Sequence, residues 1–161
     1  MSLTDELEAL LASALDELAY DPPALAFLAP GQNVAWDECC AGQLWVRVLY
    51  MHPVNPLPQK VLSTAANCPY PLGAKIGLGI IRCQSGLERL DEGTFPTEAN
   101  LTDDAERMLC DAAALFRALQ CDQDLLVDMW TPLGPQGGCY GGEWTAWIGD
   151  FDLPNCGEES E

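Results

Sequence analysis

The sequence predicts an α+β domain: a four-stranded, mainly antiparallel sheet packed by two helices, in the order α-β-β-α-β-β. Three observations carry this expectation. Leu101, Ala105, Met108, Leu109, Ala112, Leu115, Phe116 and Leu119 recur at steps of three and four residues, which places them on one stripe of a long helix over 95–121. Leu3, Leu7, Leu10, Leu11, Ala14, Leu15 and Leu18 do the same over 3–19. Four further runs, 43–51, 74–83, 124–131 and 143–150, read as strands. Stripes this wide need an apolar surface to lie on, and a sheet supplies it.

Composition sets the bounds. With 161 residues and 48% hydrophobic content the chain is globular, and residues 1–161 are expected to form one domain with its own core. It carries 25 acidic residues against 7 basic ones, a net charge of -18. That balance argues against gripping nucleic-acid phosphates, which needs a basic footprint, and against anionic membranes. It is compatible with a surface that DNA slides past. No apolar run is long enough to span a bilayer, and the N-terminus lacks the basic-then-apolar pattern of a secretory signal. The eight cysteines are Cys39, Cys40, Cys68, Cys83, Cys110, Cys121, Cys139 and Cys156. In a cytosolic chain most are expected to be reduced, many as small core residues; disulfides require an oxidising destination.

The elements follow in order. Ser2 or Thr4 can cap the first helix, and Asp21-Pro22-Pro23 ends it because proline cannot continue the backbone ladder. Residues 24–42 read as irregular, with turns at Gly31, Asn33 and Gly42. In strand 43–51, Leu44, Val46, Val48 and Tyr50 face one side and Trp45, Arg47 and Leu49 the other, so both faces should be covered. Residues 52–72 hold five of the 12 prolines and read as a projecting arm; loops longer than about 12–15 residues are usually functional or disordered. Strand 74–83 and a turn region, 84–93, lead into the long helix, capped by Thr97 or Thr102. Asp103, Asp104, Glu106, Arg107, Asp111 and Arg117 lie off its stripe, and Asp103 and Asp104 are expected to be solvated. Strands 124–131 and 143–150 form a hairpin through the glycine-rich loop 133–142, with Trp144, Ala146 and Ile148 opposite Thr145 and Trp147. The acidic tail 154–161 is expected to be mobile.

Each candidate site has a bland reading beside it. The glycines of 132–142 suggest a phosphate cradle, but such a loop should run into a helix and bring a lysine, so a structural hairpin is preferred. Cys39 and Cys40 with Cys68, Cys83 or Cys139 suggest zinc, but there is no Cys-x-x-Cys pair and His52 is the one histidine. Cys110 shares a helix face with Ala113, Ala114 and Ala118, opposite the stripe; it is either a solvated face or a face that meets another segment. No nucleophile elbow or calcium loop is present. No catalytic residue, cofactor or metal ligand is therefore expected. Contacts are expected on the long loops: His52, Val54, Leu57, Gln59 and Lys60 on the arm, and Leu133, Gln136 and Tyr140 on the hairpin.

One resemblance adds to this reading. Trp36-Asp37-Glu38-Cys39-Cys40 running into Gly42-Gln43-Leu44 resembles a family of virion proteins of tailed actinobacteriophages, from the head-to-tail connector region. Asn67-Cys68, Arg82-Cys83, Pro96-Thr97 and the run from Gly134 to Cys139 resemble it too, and the element order is similar to the tail terminator fold. The likeness covers most of 30–150. It implies a non-enzymatic ring protein, usually a homohexamer, located in the virion after assembly in the host cytoplasm. Its implied partners are the tail tube protein and a head-side connector or stopper protein, with genomic DNA passing unbound through an acidic channel. Another neck ring, or a cysteine-rich metal-binding protein, are the alternatives. Cysteine richness exceeds what a terminator needs and leaves room for disulfides formed after release.

Overall fold

A computed structural model describes residues 2–36, 39–53, 72–85, 96–120 and 125–151. The elements are α1 (Leu3–Glu17), β1 (Leu25–Ala29), a short 3-10 turn (Cys39–Ala41), β2 (Gln43–Pro53), β3 (Leu72–Cys83), α2 (Glu98–Gln120), β4 (Leu125–Gln136) and β5 (Cys139–Phe151). They build one sheet in the order β1-β2-β3-β5-β4. The α+β class stands. The sheet has five strands rather than four, and it is mixed, because β1 runs parallel to β2 while the other pairs are antiparallel. The extra strand lies inside the stretch expected to be irregular. It is five residues long and stands between Pro22-Pro23 and Pro30, too short for a pattern; its pairing with β2 makes it a strand.

Local chemistry fixes the helix ends. The Ser2 hydroxyl accepts from the Asp5 N–H while the Asp5 carboxylate accepts from the Ser2 N–H, a reciprocal capping box. Thr97 and Asn100 repeat that exchange at α2. Thr102 instead donates to the Glu98 carbonyl inside the helix, so it is not the cap.

Both helices lie on the same face of the sheet, α1 over β1 and β2, α2 over β3, β4 and β5. Leu3, Leu7, Leu10, Leu115, Ala118 and Leu119 meet Leu44, Val46, Ile76, Leu78, Ile80 and Ile148 there. The stripe of α2 is covered only in its second half. Leu101 is 46% exposed because the first turns overhang the hairpin end of the sheet, and Leu109 is 62% exposed because the face of α2 that is buried carries Asp104, Asp111, Ala114 and Ala118 and is turned away from it. Asp104 and Asp111 are buried, against expectation, by partners on β3 and just after it. The Cys110 face also splits: Ala114 and Ala118 are core, Cys110 and Ala113 are exposed.

Two further expectations change. Residues 133–142 are not a loop: β4 runs to Gln136, β5 starts at Cys139, and only Gly137 and Gly138, both at positive φ, make the turn. Tyr50 does not face the same side as Val48. A bulge between them moves Tyr50 opposite Lys75, on the face away from the helices. Of the proline-rich arm, His52, Pro53 and Leu72 belong to strands, while 54–71 lies outside the described residues, as do 86–93 of the turn region and the tail 154–161. Among the described residues no helix is long and apolar enough to cross a membrane.

Candidate contact surfaces

The face away from the helices begins with glycine. Ala74, Ile76, Leu78 and Ile80 of β3 point to the helices, so Gly73, Lys75, Gly77 and Gly79 point the other way. A Cβ at Gly79 would overlap the Trp45 indole, and one at Gly77 would come within 2.7 Å of the Glu143 carboxylate. The missing side chains leave the space those two groups occupy. Glu143 accepts from the Trp45 indole N–H at 2.7 Å and from two nitrogens of Arg47 at 2.8 and 2.7 Å. Trp45 and Glu143 are buried and Arg47 is mostly so, which makes this a satisfied internal ion pair.

A flap, residues 30–36 with 39–41, covers this part of the sheet. Val34, Trp36 and Cys39 join Phe27, Ala29, Trp45, Ile81 and Cys139 in a second, smaller core. Disulfides Cys39–Cys139 and Cys40–Cys83 fasten the end of the flap to β5 and β3. Cys83 and Cys139 are direct cross-strand partners and Cys39 and Cys40 are adjacent, so the four sulfurs meet at one end of the sheet. The pairing removes four of the five cysteines considered for zinc; Cys68 lies outside the described residues. Among the described residues no three His, Cys, Asp or Glu side chains are grouped to hold a metal.

At the other end of the same face an aromatic and polar array is open to solvent. Trp147 sits edge-on to Tyr50 at 5.7 Å and to His52 at 5.5 Å between ring centres. The Lys75 ammonium lies 5.1 Å from the Trp147 ring centre and 2.6 Å from Asp128. The hydrogen bond between these two raises the Lys75 pKa and lowers that of Asp128. Leu126 and Met129, 71% and 55% exposed, flank the array on β4, which is an edge of the sheet.

A second surface lies on the helix face, where α2 overhangs the hairpin. Leu101, Ala105 and Met108 form one wall of a groove, and Pro132, Leu133, Gly134 and Pro135 the other, around a cavity of about 180 Å³. Gln84, Asp104 and Tyr140 complete it. Asp104 is already engaged, accepting from the Ser85 N–H at 3.0 Å and its hydroxyl at 2.5 Å. Tyr140 is 6% exposed and its hydroxyl has no hydrogen-bond partner among the described residues. Burial, helped by the Asp104 charge, pushes its pKa up to about 12. Beside the groove Arg82 makes a two-pronged bond to Asp111 at 2.6 and 2.9 Å, which ties β3 to α2.

The expected contact residues thus divide. His52 stands in the aromatic array, Tyr140 lines the groove, Leu133 borders it while packing against the flap-side core, and Gln136 is exposed beside the turn. Val54, Leu57, Gln59 and Lys60 lie outside the described residues. Sequence reasoning missed the Trp45–Arg47–Glu143 network, the Arg82–Asp111 pair and the exposed row of Leu101 and Leu109. The alternating glycines of β3 were the available signal for the first; the ion pairs join residues 29 and 96 positions apart and leave no local pattern. No protein-family model matches the chain, and no curated protein matches its sequence.

Proposed function

We propose that the chain is a structural subunit of the phage neck, a tail terminator. Its copies form a ring, a hexamer by resemblance, that caps the tail tube and meets the head-side connector or stopper protein. The observation that carries the assembly reading is the open side of the sheet. Edge strand β4 has no strand on its outer side among the described residues, and it carries Leu126 and Met129 next to Tyr50 and Trp147. Unprotected edges of this kind invite another strand or a neighbouring subunit. Charge supports the passage of DNA. Five of the 7 basic residues are described, and Arg47, Lys75, Arg82 and Arg117 are each matched to a carboxylate. Among the described residues little positive charge is left to hold phosphates, so a ring of such subunits would repel DNA from its wall.

Solution mass, alone and with purified tail tubes, followed by negative-stain imaging, tests this. Rings of about six copies, or density at one tube end, are expected by analogy with closed cyclic assemblies. Leu126→Lys with Met129→Lys should abolish them while leaving the monomer folded. Binding to head-side connectors but not to tube ends would move the protein to a stopper role. A monomer that ignores both partners would end the neck reading.

A further inference from the structure

The four bridged cysteines come as two neighbouring pairs. Cys39 and Cys40 are consecutive in the flap, and Cys83 and Cys139 face each other across β3 and β5. Both bonds present, Cys39–Cys139 and Cys40–Cys83, join flap to sheet. The ladder fixes the geometry of the sheet pair. The Gln84 N–H donates to the Gly138 carbonyl at 2.7 Å, one residue outside the pair on each strand, so Cys83 and Cys139 are a non-hydrogen-bonded pair. In such a pair the α-carbons stand roughly 4.5 Å apart with both side chains on one face, within the span of about 4.4–6.8 Å that a disulfide needs. The flap pair differs. Consecutive α-carbons are about 3.8 Å apart across a trans peptide, too close for an undistorted disulfide. A bond between the two sheet cysteines is open to the cluster, and one between the two flap cysteines is disfavoured.

We infer that the cluster is a redox latch, in which a single two-electron reduction unfastens both links to the flap. Among the described residues Cys40 is exposed and Cys83 half-buried, whereas Cys39 and Cys139 are buried, so a dithiol reductant starts at Cys40–Cys83. The reductant leaves as a disulfide of its own two sulfurs, and Cys40 and Cys83 become thiols. The Cys83 thiolate then attacks the Cys139 Sγ. The Cys83–Cys139 bond forms, the Cys39–Cys139 bond breaks, and Cys39 departs as a thiolate that takes up the proton Cys83 released. Reduction at Cys39–Cys139 reaches the same product, through attack of the Cys139 thiolate on Cys83. The exchange runs this way because the ladder holds the two sheet sulfurs together, while a flap on one bond regains chain freedom when let go. What remains on the flap is the packing of Val34 and Trp36 over Trp45 and Ile81. The latch does not depend on the neck reading.

The test is partial reduction of the full chain with dithiothreitol at mildly alkaline pH, rapid blocking of thiols with N-ethylmaleimide, and mass spectrometry of the peptides. Among molecules that keep one bridge in the cluster, the majority should carry Cys83 joined to Cys139 and a flap peptide blocked at both Cys39 and Cys40. A flap peptide blocked once and still joined to Cys83 or Cys139 overturns the inference. A Cys39–Cys40 bond, a bond to any other cysteine, or loss of both bridges with no singly bridged species overturns it equally. Cys39→Ser and Cys40→Ser each leave one unpaired thiol on the sheet. Without added reductant both variants should settle on the same Cys83–Cys139 bond. Retention of Cys40–Cys83 in the first, or of Cys39–Cys139 in the second, would show that the sheet sulfurs do not exchange.

Discussion

On the helix side of the sheet, Leu44, Val46, Ile76, Leu78 and Ile80 are held by hydrocarbon packed against hydrocarbon. On the other side, the sheet carries Trp45 and Arg47 of β2 and Glu143 of β5 over two glycines of β3, under a flap fastened by cystines. The first face loses stability in proportion to the volume removed, and its residues are partly interchangeable. The second depends on particular partners. Removing one member leaves another buried and unmatched, which costs more than the pair itself contributes. Two faces of one sheet therefore respond to mutation by different rules, and the differences can be measured.

The largest effect is expected from Glu143→Ala, which strands the Arg47 guanidinium and the Trp45 N–H together and should cost about 4 kcal/mol in urea unfolding. Replacing both ends, Arg47→Met with Glu143→Leu, should recover most of that loss; if the double variant is no better than the single one, the two-rule comparison fails. Next comes the staple. Cys39→Ala with Cys139→Ala opens a link across 100 residues and should cost about 3 kcal/mol, with the loss absent when wild type is compared under reducing conditions. Leu115→Ala, fully buried on the helix side, should cost a similar amount, about 3 kcal/mol, through a cavity that no redox condition alters.

Smaller effects sharpen the picture at the groove. The raised pKa of Tyr140 means that its neutral form is favoured by the fold. Stability from this group is complete below pH 10, the ordinary tyrosine value, and is lost as pH rises towards about 12, because the unfolded chain releases the proton first. Tyr140→Phe should flatten that alkaline decline in a series of unfolding midpoints. The smallest change is expected at Leu101→Ala, under about 0.5 kcal/mol, since this leucine is exposed although it belongs to the same sequence stripe as Leu115.

That last contrast marks how far the sequence could be read. Periodicity found both helices and four strands, and Ser2 and Thr97 were legible as caps. It did not reveal where the sheet under α2 ends, so Leu101 and Leu119 looked alike. It placed Asp104 and Asp111 off the apolar stripe, yet both are buried, because Ser85 and Arg82 supply what water would have. Strand alternation misplaced Tyr50 because one bulged residue reverses the faces beyond it. Of the groove, Leu133 and Tyr140 were expected, but as loop residues. The helix wall opposite them was hidden in a stripe that seemed wholly internal. Pairings among the cysteines could not be chosen from spacing, since eight allow 105 connectivities.

The placing of the two cystines also has a mechanical meaning. Both lie where Cys83 meets Cys139, while the opposite end of the sheet, where Leu72 meets Phe151 and Pro53, has no covalent tie among the described residues. A load that pulls the strands apart sideways can part them from the Leu72 end one ladder bond after another, but it must stop at the cystines. The molecule is thus a sheaf bound at one end. It cannot shed the flap without breaking a covalent bond.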